Sequence, residues 1–262
     1  MNTILLEKKI DGHEGVAVIT YNRPESLNAL NTQMATEIIS AFHQLEQDET
    51  IRALVITGTG TKSFCVGADL KERNRMTPKK WKEQHRLFEE VTEKIRDFPF
   101  PVIASINGYA LGGGMEMALS CDFRVASTNA VLGLPEAKLG LIPGIGGTQL
   151  IARSIPVGIA KELLFTGNHI DALYAKEIGL VNHIFPQEEL LQETLKIASN
   201  IARNAPLSLQ ALKKTINQGS HLDLSTAFSL DLAYYYQCAN SEDRIEGIAA
   251  FNEKRKANWK GQ

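Results

Sequence analysis

Cysteine is scarce in this chain: three residues among 262, at Cys65, Cys121 and Cys238. An odd number, widely spaced and without a CxxC neighbour, excludes a disulfide framework and reads as reduced thiols. The six histidines fall at no HxxxH or HExxH spacing, so no metal site is expected. Neither sign of charge dominates. There are 28 Lys and Arg against 30 Asp and Glu, a net charge of −2, which excludes a surface built as a whole for polyanions. No apolar run reaches the length of a membrane span. The opening MNTILLEKKIDG has neither the apolar centre of a secretion signal nor the arginines of a transit peptide. A cytoplasmic protein is the expectation. There is no GxSxG for a nucleophilic serine. Gly58 to Ser63 has Thr61 where a phosphate loop needs glycine before its lysine, and Gly144 to Gly147 misses the dinucleotide fingerprint.

What is present is an ordinary globular composition, 44% hydrophobic and 22% charged, long enough for one large domain or a domain with an appendage. Ile4–Ile10 and Val16–Tyr21 read as strands paired around a turn at Asp11-Gly12. Behind Asn31 as cap, Met34, Ile38, Ile39, Phe42 and Leu45 recur at helical spacing as far as Asp48. Ile51–Thr57, Val102–Ile106, Phe123–Ala126, Val131–Leu134 and Leu180–Phe185 read as further strands, with helices at Glu116 and after Gly146. Beyond Pro186 only helices are expected: 188–203, 206–218, 223–239 and 241–254. Pro206 opens one of them and Gly219 lies just past its end. The chain therefore divides into an α/β portion, 1–186, and a helical C-terminal portion, 187–262, for packing and oligomerisation.

The chemistry concentrates between Pro101 and Gln149. A buried strand at 102–106 leads into Gly112, Gly113 and Gly114, then Met115-Glu116-Met117-Ala118-Leu119. Three glycines are a poor helix start on propensity. They suit a place where backbone approaches a ligand closely, or where N–H groups point at an anion. Glu116 has apolar neighbours, as does Glu136 in VLGLPEAKLGL. Burying either carboxylate unpaired is costly. Two carboxylates and a glycine-lined helix start are the parts of a proton-transfer site with an oxyanion hole. The plainer alternative is a packing turn and two solvated glutamates. Lys71 to Arg86 holds seven Lys and Arg against two Glu, either a solvated helix face or a mobile basic flap facing a phosphorylated ligand.

Taken in order, these residues resemble the enoyl-CoA hydratase (crotonase) superfamily. The matching stretches are Asn22-Arg23-Pro24 with Asn28-Ala29-Leu30, Gly67-Ala68-Asp69, Asn107 through Gly114 with Glu116, Cys121-Asp122, and Pro135-Glu136 through Gln149. The resemblance implies a spiral of ββα units with a C-terminal helical trimerisation region, assembled as a homo-trimer or homo-hexamer. It implies an acyl-CoA substrate and no separate cofactor, coenzyme A being part of the substrate. By position, Ala68 and Gly113 match the oxyanion-hole residues. Glu116 and Glu136 match the carboxylates that hold and activate water. Asp69, Leu70 and Lys71, with Ala68 and Gly113, match substrate-binding positions. Keeping both glutamates favours hydration over the double-bond isomerases, which commonly lack one.

Within the superfamily the chain looks most like 3-methylglutaconyl-CoA hydratase. The stretches that carry this are Gly67 to Arg73, Ala160 to Leu163, Ile216 to Gly219 and Asp243 to Arg255. Some members of that group also bind RNA through a lysine-bearing helix. The corresponding helix here, 31–48, has no lysine or arginine and carries Glu37, Glu46 and Asp48. Because phosphate neutralisation dominates RNA affinity, RNA binding is not expected. The expected reaction is syn addition of water across the 2,3 double bond of an enoyl-CoA thioester. An enoyl-CoA isomerase, and an RNA-binding protein from another class, are the alternatives.

Overall fold

The computed structural model describes residues 1–262. The chain opens with β1 (Ile4–Glu7), β2 (Val16–Tyr21), α1 (Thr32–Glu46), β3 (Ala53–Gly58), β4 (Ser63–Cys65), α2 (Leu70–Arg73) and α3 (Pro78–Asp97). Next come β5 (Val102–Ile106), β6 (Tyr109–Leu111), α4 (Gly113–Ser120), β7 (Phe123–Ser127), β8 (Val131–Gly133) and a 3₁₀ turn, Glu136–Leu139. Then follow α5 (Gly147–Ser154), α6 (Val157–Thr166), β9 (Ile170–Asp171), α7 (Ala172–Glu177), β10 (His183–Phe185), α8 (Leu190–Ala202), α9 (Pro206–Gly219), α10 (Leu224–Ala239) and α11 (Glu242–Glu253).

The order β3-β4, β5-β6, β7-β8 explains the architecture. Each pair sends its first strand to a six-stranded sheet, β1-β2-β3-β5-β7-β10, and its second to a four-stranded sheet, β4-β6-β8-β9. Successive turns stack, so neighbours within each sheet are parallel. Only β1 with β2 and β8 with β9 run antiparallel. This is the ββα spiral that the resemblance implied.

The pleat of the large sheet divides its side chains between two cores. Ala17, Ile19, Leu54, Ile56, Val102 and Ala104 join the main core with Met34, Ile38, Phe42 and Leu45 of α1. Val16, Val18, Ala53, Val55, Ile103 and Val125 face the other way, onto Leu190, Leu195 and Ala198 of α8. A parallel sheet needs cover on both faces, and α8 supplies the second. The expected helical appendage from residue 187 is therefore not uniform. Its first helix completes the sheet's second core and α9 adds Leu209 to the main one, while α9 to α11 otherwise keep apolar residues exposed.

Several boundaries differ from the periodic pattern. β1 ends at Glu7, because the backbone of 8–15 loops out and Gly15 turns its carbonyl to Arg52 and Ala53 N–H at the start of β3. The strand expected at 51–57 runs from Ala53 to Gly58, and only His183 to Phe185 of 180–185 pairs as strand. β4, β6, α6 and α7 had no clear sequence signal. The basic stretch spans most of α2, the connection 74–77 and the first half of α3. No helix is long and apolar enough to cross a membrane.

Candidate active site

The second sheet brings the site together. β4, β6 and β8 lie side by side, and each is followed by a short segment leaving the sheet at the same end. After β4 comes Gly67-Ala68-Asp69; after β6, Gly112-Gly113; after β8, Leu134-Pro135-Glu136. Equivalent places in three turns of the spiral thus line one locus.

Ala68 and Gly113 present the first pair of groups. A β-carbon on Gly67 would lie 2.9 Å from the Gly113 nitrogen, and one on Gly113 would lie 3.7 Å from the Ala68 nitrogen. The two N–H groups are therefore close neighbours. Neither donates to any group of the protein: Leu30 bonds Gly67 and Asp69 on either side, leaving the Ala68 N–H free. Gly113 is the first residue of α4, where an N–H has no intrahelical acceptor. Gly112 must be glycine, since its φ of 52° and ψ of −128° lie in a region closed to side chains. Two unspent donors at a helix start form an anion-binding point for an oxygen that gains charge.

Both carboxylates converge on this locus from separate elements, α4 and the 3₁₀ turn. Glu116, one turn into α4, is 3% exposed. Its Oε1 accepts from the N–H of Ile145 at 2.9 Å and of Gly147 at 2.8 Å, at the start of α5. Burial pushes its carboxyl upward, against these backbone donors and the charge of His85. Gly147 leaves room for this contact, as a β-carbon there would stand 2.7 Å from Glu116 Cγ. Glu136 opens the 3₁₀ turn with Oε1 3.0 Å from where a Gly112 β-carbon would be. Its Oε2 is buried without a hydrogen-bond partner. Burial first, and the Glu116 charge second, push the Glu136 carboxyl up to about 7.

The remaining expected positions behave differently. Asp69 spends its carboxylate on the protein, capping α2 through the N–H groups of Lys71 and Glu72 and pairing with Arg23 Nη2 at 2.9 Å. Arg23 also donates to the Ala29 carbonyl. Buried Asn28 binds the Arg23 N–H and the Ser63 carbonyl. This clamp fixes the loop that carries Ala68. Leu70 is 55% exposed and Lys71 is exposed, both on the surface of α2. The thiol of Cys65 is buried beside Gly67, and burial pushes it up to about 12, which keeps it an inert packing group.

Four residues here are not singled out individually by the sequence, although each falls in a stretch that is: Ile145 and Gly147 in the motif running to Gln149, His85 and Arg73 in the basic stretch. The Ile145 and Gly147 donors lie about thirty residues from Glu116 and meet it only in the fold. His85 of α3 packs its ring against Gly144, next to the Ile145 and Gly147 donors. Arg73 reaches under α3, where Gln84, Trp81 and Phe88 surround it.

Known proteins similar to this chain are numerous. A solved enoyl-CoA hydratase from Bacillus anthracis superposes with a TM-score of 0.96 at 39% identity, covering 99% of this chain and 100% of that one. The short-chain-enoyl-CoA hydratase of Clostridium acetobutylicum is 41% identical over 98% of this chain and 97% of its own. The mitochondrial methylglutaconyl-CoA hydratase of Mus musculus is 37% identical over 95% of this chain and 81% of its own. The sequence profile described as enoyl-CoA hydratase/isomerase matches residues 11–262. With a crotonase fold and these relatives over nearly its whole length, the chain belongs to the enoyl-CoA hydratase/isomerase family and is an enzyme of the enoyl-CoA hydratase type.

Proposed function

We propose that this enzyme adds water across the 2,3 double bond of an enoyl-CoA, with Glu116 and Glu136 as base and acid. The observation that carries the division of labour is their unlike surroundings. Glu116 is tied by two backbone N–H groups that favour its carboxylate form. Glu136, with one oxygen unpartnered, holds its proton up to about 7. Burial raises both carboxyls, but two backbone donors oppose the rise at Glu116 while Glu136 keeps an unpartnered oxygen, and this difference supports the roles of base and acid. Glu116 takes a proton from water as the hydroxyl adds at C3. Electrons move through C2 to the thioester oxygen, and the N–H groups of Ala68 and Gly113 stabilise the enolate charge. Glu136 then delivers a proton to C2. With both carboxylates acting through one water on one face of the acyl group, the addition would be syn.

For the acyl group we propose 3-methylglutaconyl-CoA alongside short unbranched enoyl-CoAs. Support comes from the stretch Gly67 to Arg73 and from the methylglutaconyl-CoA hydratase among the relatives. For assembly we propose a homo-trimer or homo-hexamer joined through α9 to α11, where Ile216, Leu224, Phe228, Tyr235 and Phe251 are more than half exposed. A patch of this kind on a soluble protein marks an interaction surface.

The test is hydration of crotonyl-CoA followed by loss of its conjugated absorbance, with a 3-enoyl-CoA in parallel. Turnover of crotonyl-CoA that falls roughly 10²–10⁴-fold in Glu116→Gln, with acyl-CoA binding kept, supports the reading. Full activity in that variant, or conversion of the 3-enoyl-CoA alone, defeats it.

A further inference from the structure

From Ile142 to Ile145 the chain belongs to no helix or strand, and no backbone–backbone hydrogen bond ties these residues to the fold. The last such tie before them is the Leu141 N–H, bonded to the Glu136 carbonyl. The next is the first turn of α5, where Gln149 and Leu150 donate to the Gly146 carbonyl. Yet this strap serves the site on two fronts. The N–H of Ile145, with that of Gly147 just beyond, holds Glu116 Oε1 at 2.9 and 2.8 Å. The Ile145 side chain reaches the oxyanion segment, with Cδ1 3.8 Å from where a Gly113 β-carbon would be.

A strap without a ladder of its own keeps its place only through what packs on it. Glu116 is one such group, and the His85 ring is another. A β-carbon on Gly144 would stand 2.7 Å from His85 Cε1, 3.4 Å from Nε2 and 3.8 Å from Nδ1. Gly144 is not among the glycines with positive φ, so its bareness answers to the ring and not to the backbone. The ring is steadied in turn by α3, where its Nε2 lies 3.4 Å from Glu89 Oε1, one turn along. Charge acts in the same direction. Burial raises the Glu116 carboxyl, and the N–H groups of Gly147, Ile145 and Gly144 oppose the rise, followed by the charge of His85.

We propose that His85 is a positioning residue for the hydration: packed on Gly144, its ring sets the strap so that the Ile145 and Gly147 N–H groups meet Glu116. This rests on the reading of Glu116 as the base.

Crotonyl-CoA hydration by a small set of variants tests it. In His85→Ala the strap loses its support, and kcat should fall roughly 10- to 100-fold, as a displacement of about 1 Å near the chemistry does. KM should hold, because no substrate contact is removed. His85→Phe keeps a ring on Gly144 and should recover most of the loss. Gly144→Ala drives a methyl into the ring and should lower kcat by itself. In His85→Ala the same methyl enters the space the ring has left, so the double variant should turn over at least as fast as His85→Ala alone. Losses that simply add, wild-type kcat in His85→Ala, or a His85→Phe no better than His85→Ala would each overturn the proposal. The His85 side chain is 30% exposed, so these variants should fold, and circular dichroism gives the folded concentration to which kcat is referred. Glu116→Gln separates the two readings. In that background His85→Ala should cost nothing further, since its effect passes through Glu116; a second full loss there overturns the positioning role. A fully active Glu116→Gln defeats the base itself. An inactive Glu116→Gln beside a fully active His85→Ala keeps the base and removes His85 alone.

Discussion

If Glu136 is the acid proposed above, raising the pH through neutrality should remove the proton it supplies. Its carboxyl is held up to about 7, against an ordinary 4.5, because its Oε2 is buried without a donor and Glu116 adds like charge. At pH 7 about half the enzyme then carries the catalytic proton, and at pH 8 about one-tenth does. The initial rate of crotonyl-CoA hydration, measured as kcat/KM from pH 5.5 to 9, should fall tenfold per unit above about 7. In Glu136→Gln that alkaline limb should vanish and leave a flat profile, lower by roughly 10²–10⁴-fold. The same group links to stability with a definite sign. A carboxyl raised on folding stabilises the native state while protonated, and that contribution is lost as pH climbs from about 4.5 through about 7. Glu136→Gln should therefore melt above the wild type at pH 8 and close to it at pH 5. A wild-type rate that is flat to pH 9, or an alkaline limb that persists in Glu136→Gln, would refute the assignment of Glu136 as acid.

Other outcomes follow from the same geometry. Gly113→Pro deletes an N–H at the first position of α4, where helices tolerate proline; kcat should drop roughly 10²–10³-fold with the far-ultraviolet circular dichroism unchanged. Gly114→Ala puts a β-carbon 2.0 Å from the Cys65 carbonyl oxygen, so β4 and α4 must part. Both the melting temperature and kcat should fall, and wild-type turnover would contradict the proposed role of the segments carrying Ala68 and Gly113. Arg124 is 7% exposed and donates to the carbonyls of Leu180, Cys121 and Ala118; Arg124→Met should lose roughly 2–4 kcal/mol in urea unfolding with little change in KM.

Much of this protein is written locally. The buried runs of β2, β3 and β5, the apolar stripe of α1 behind its Asn31 cap, and Pro206 opening α9 each follow from a period or a cap within one segment. Local context also singles out Gly112 to Gly114 and the two glutamates, since glycines at a helix start and carboxylates among apolar residues are costly without a purpose. The ordered motifs then carry the family resemblance. Tertiary structure supplies what no segment holds alone. β4 and β6 have three residues each, too few to show a period, and form only because the spiral stacks one turn on the next. That stacking brings Ala68 beside Gly113 and sets Gly112 against Glu136. It also gives Glu116 its donors from Ile145 and Gly147, and so makes unlike groups of two glutamates that look alike in sequence. The basic run reads as one block of charge, yet burial depends on which face of a helix meets a neighbour. Only packing of α2 under α3 turns six of those cations to water and leaves Arg73 half-buried with an unpaired N–H.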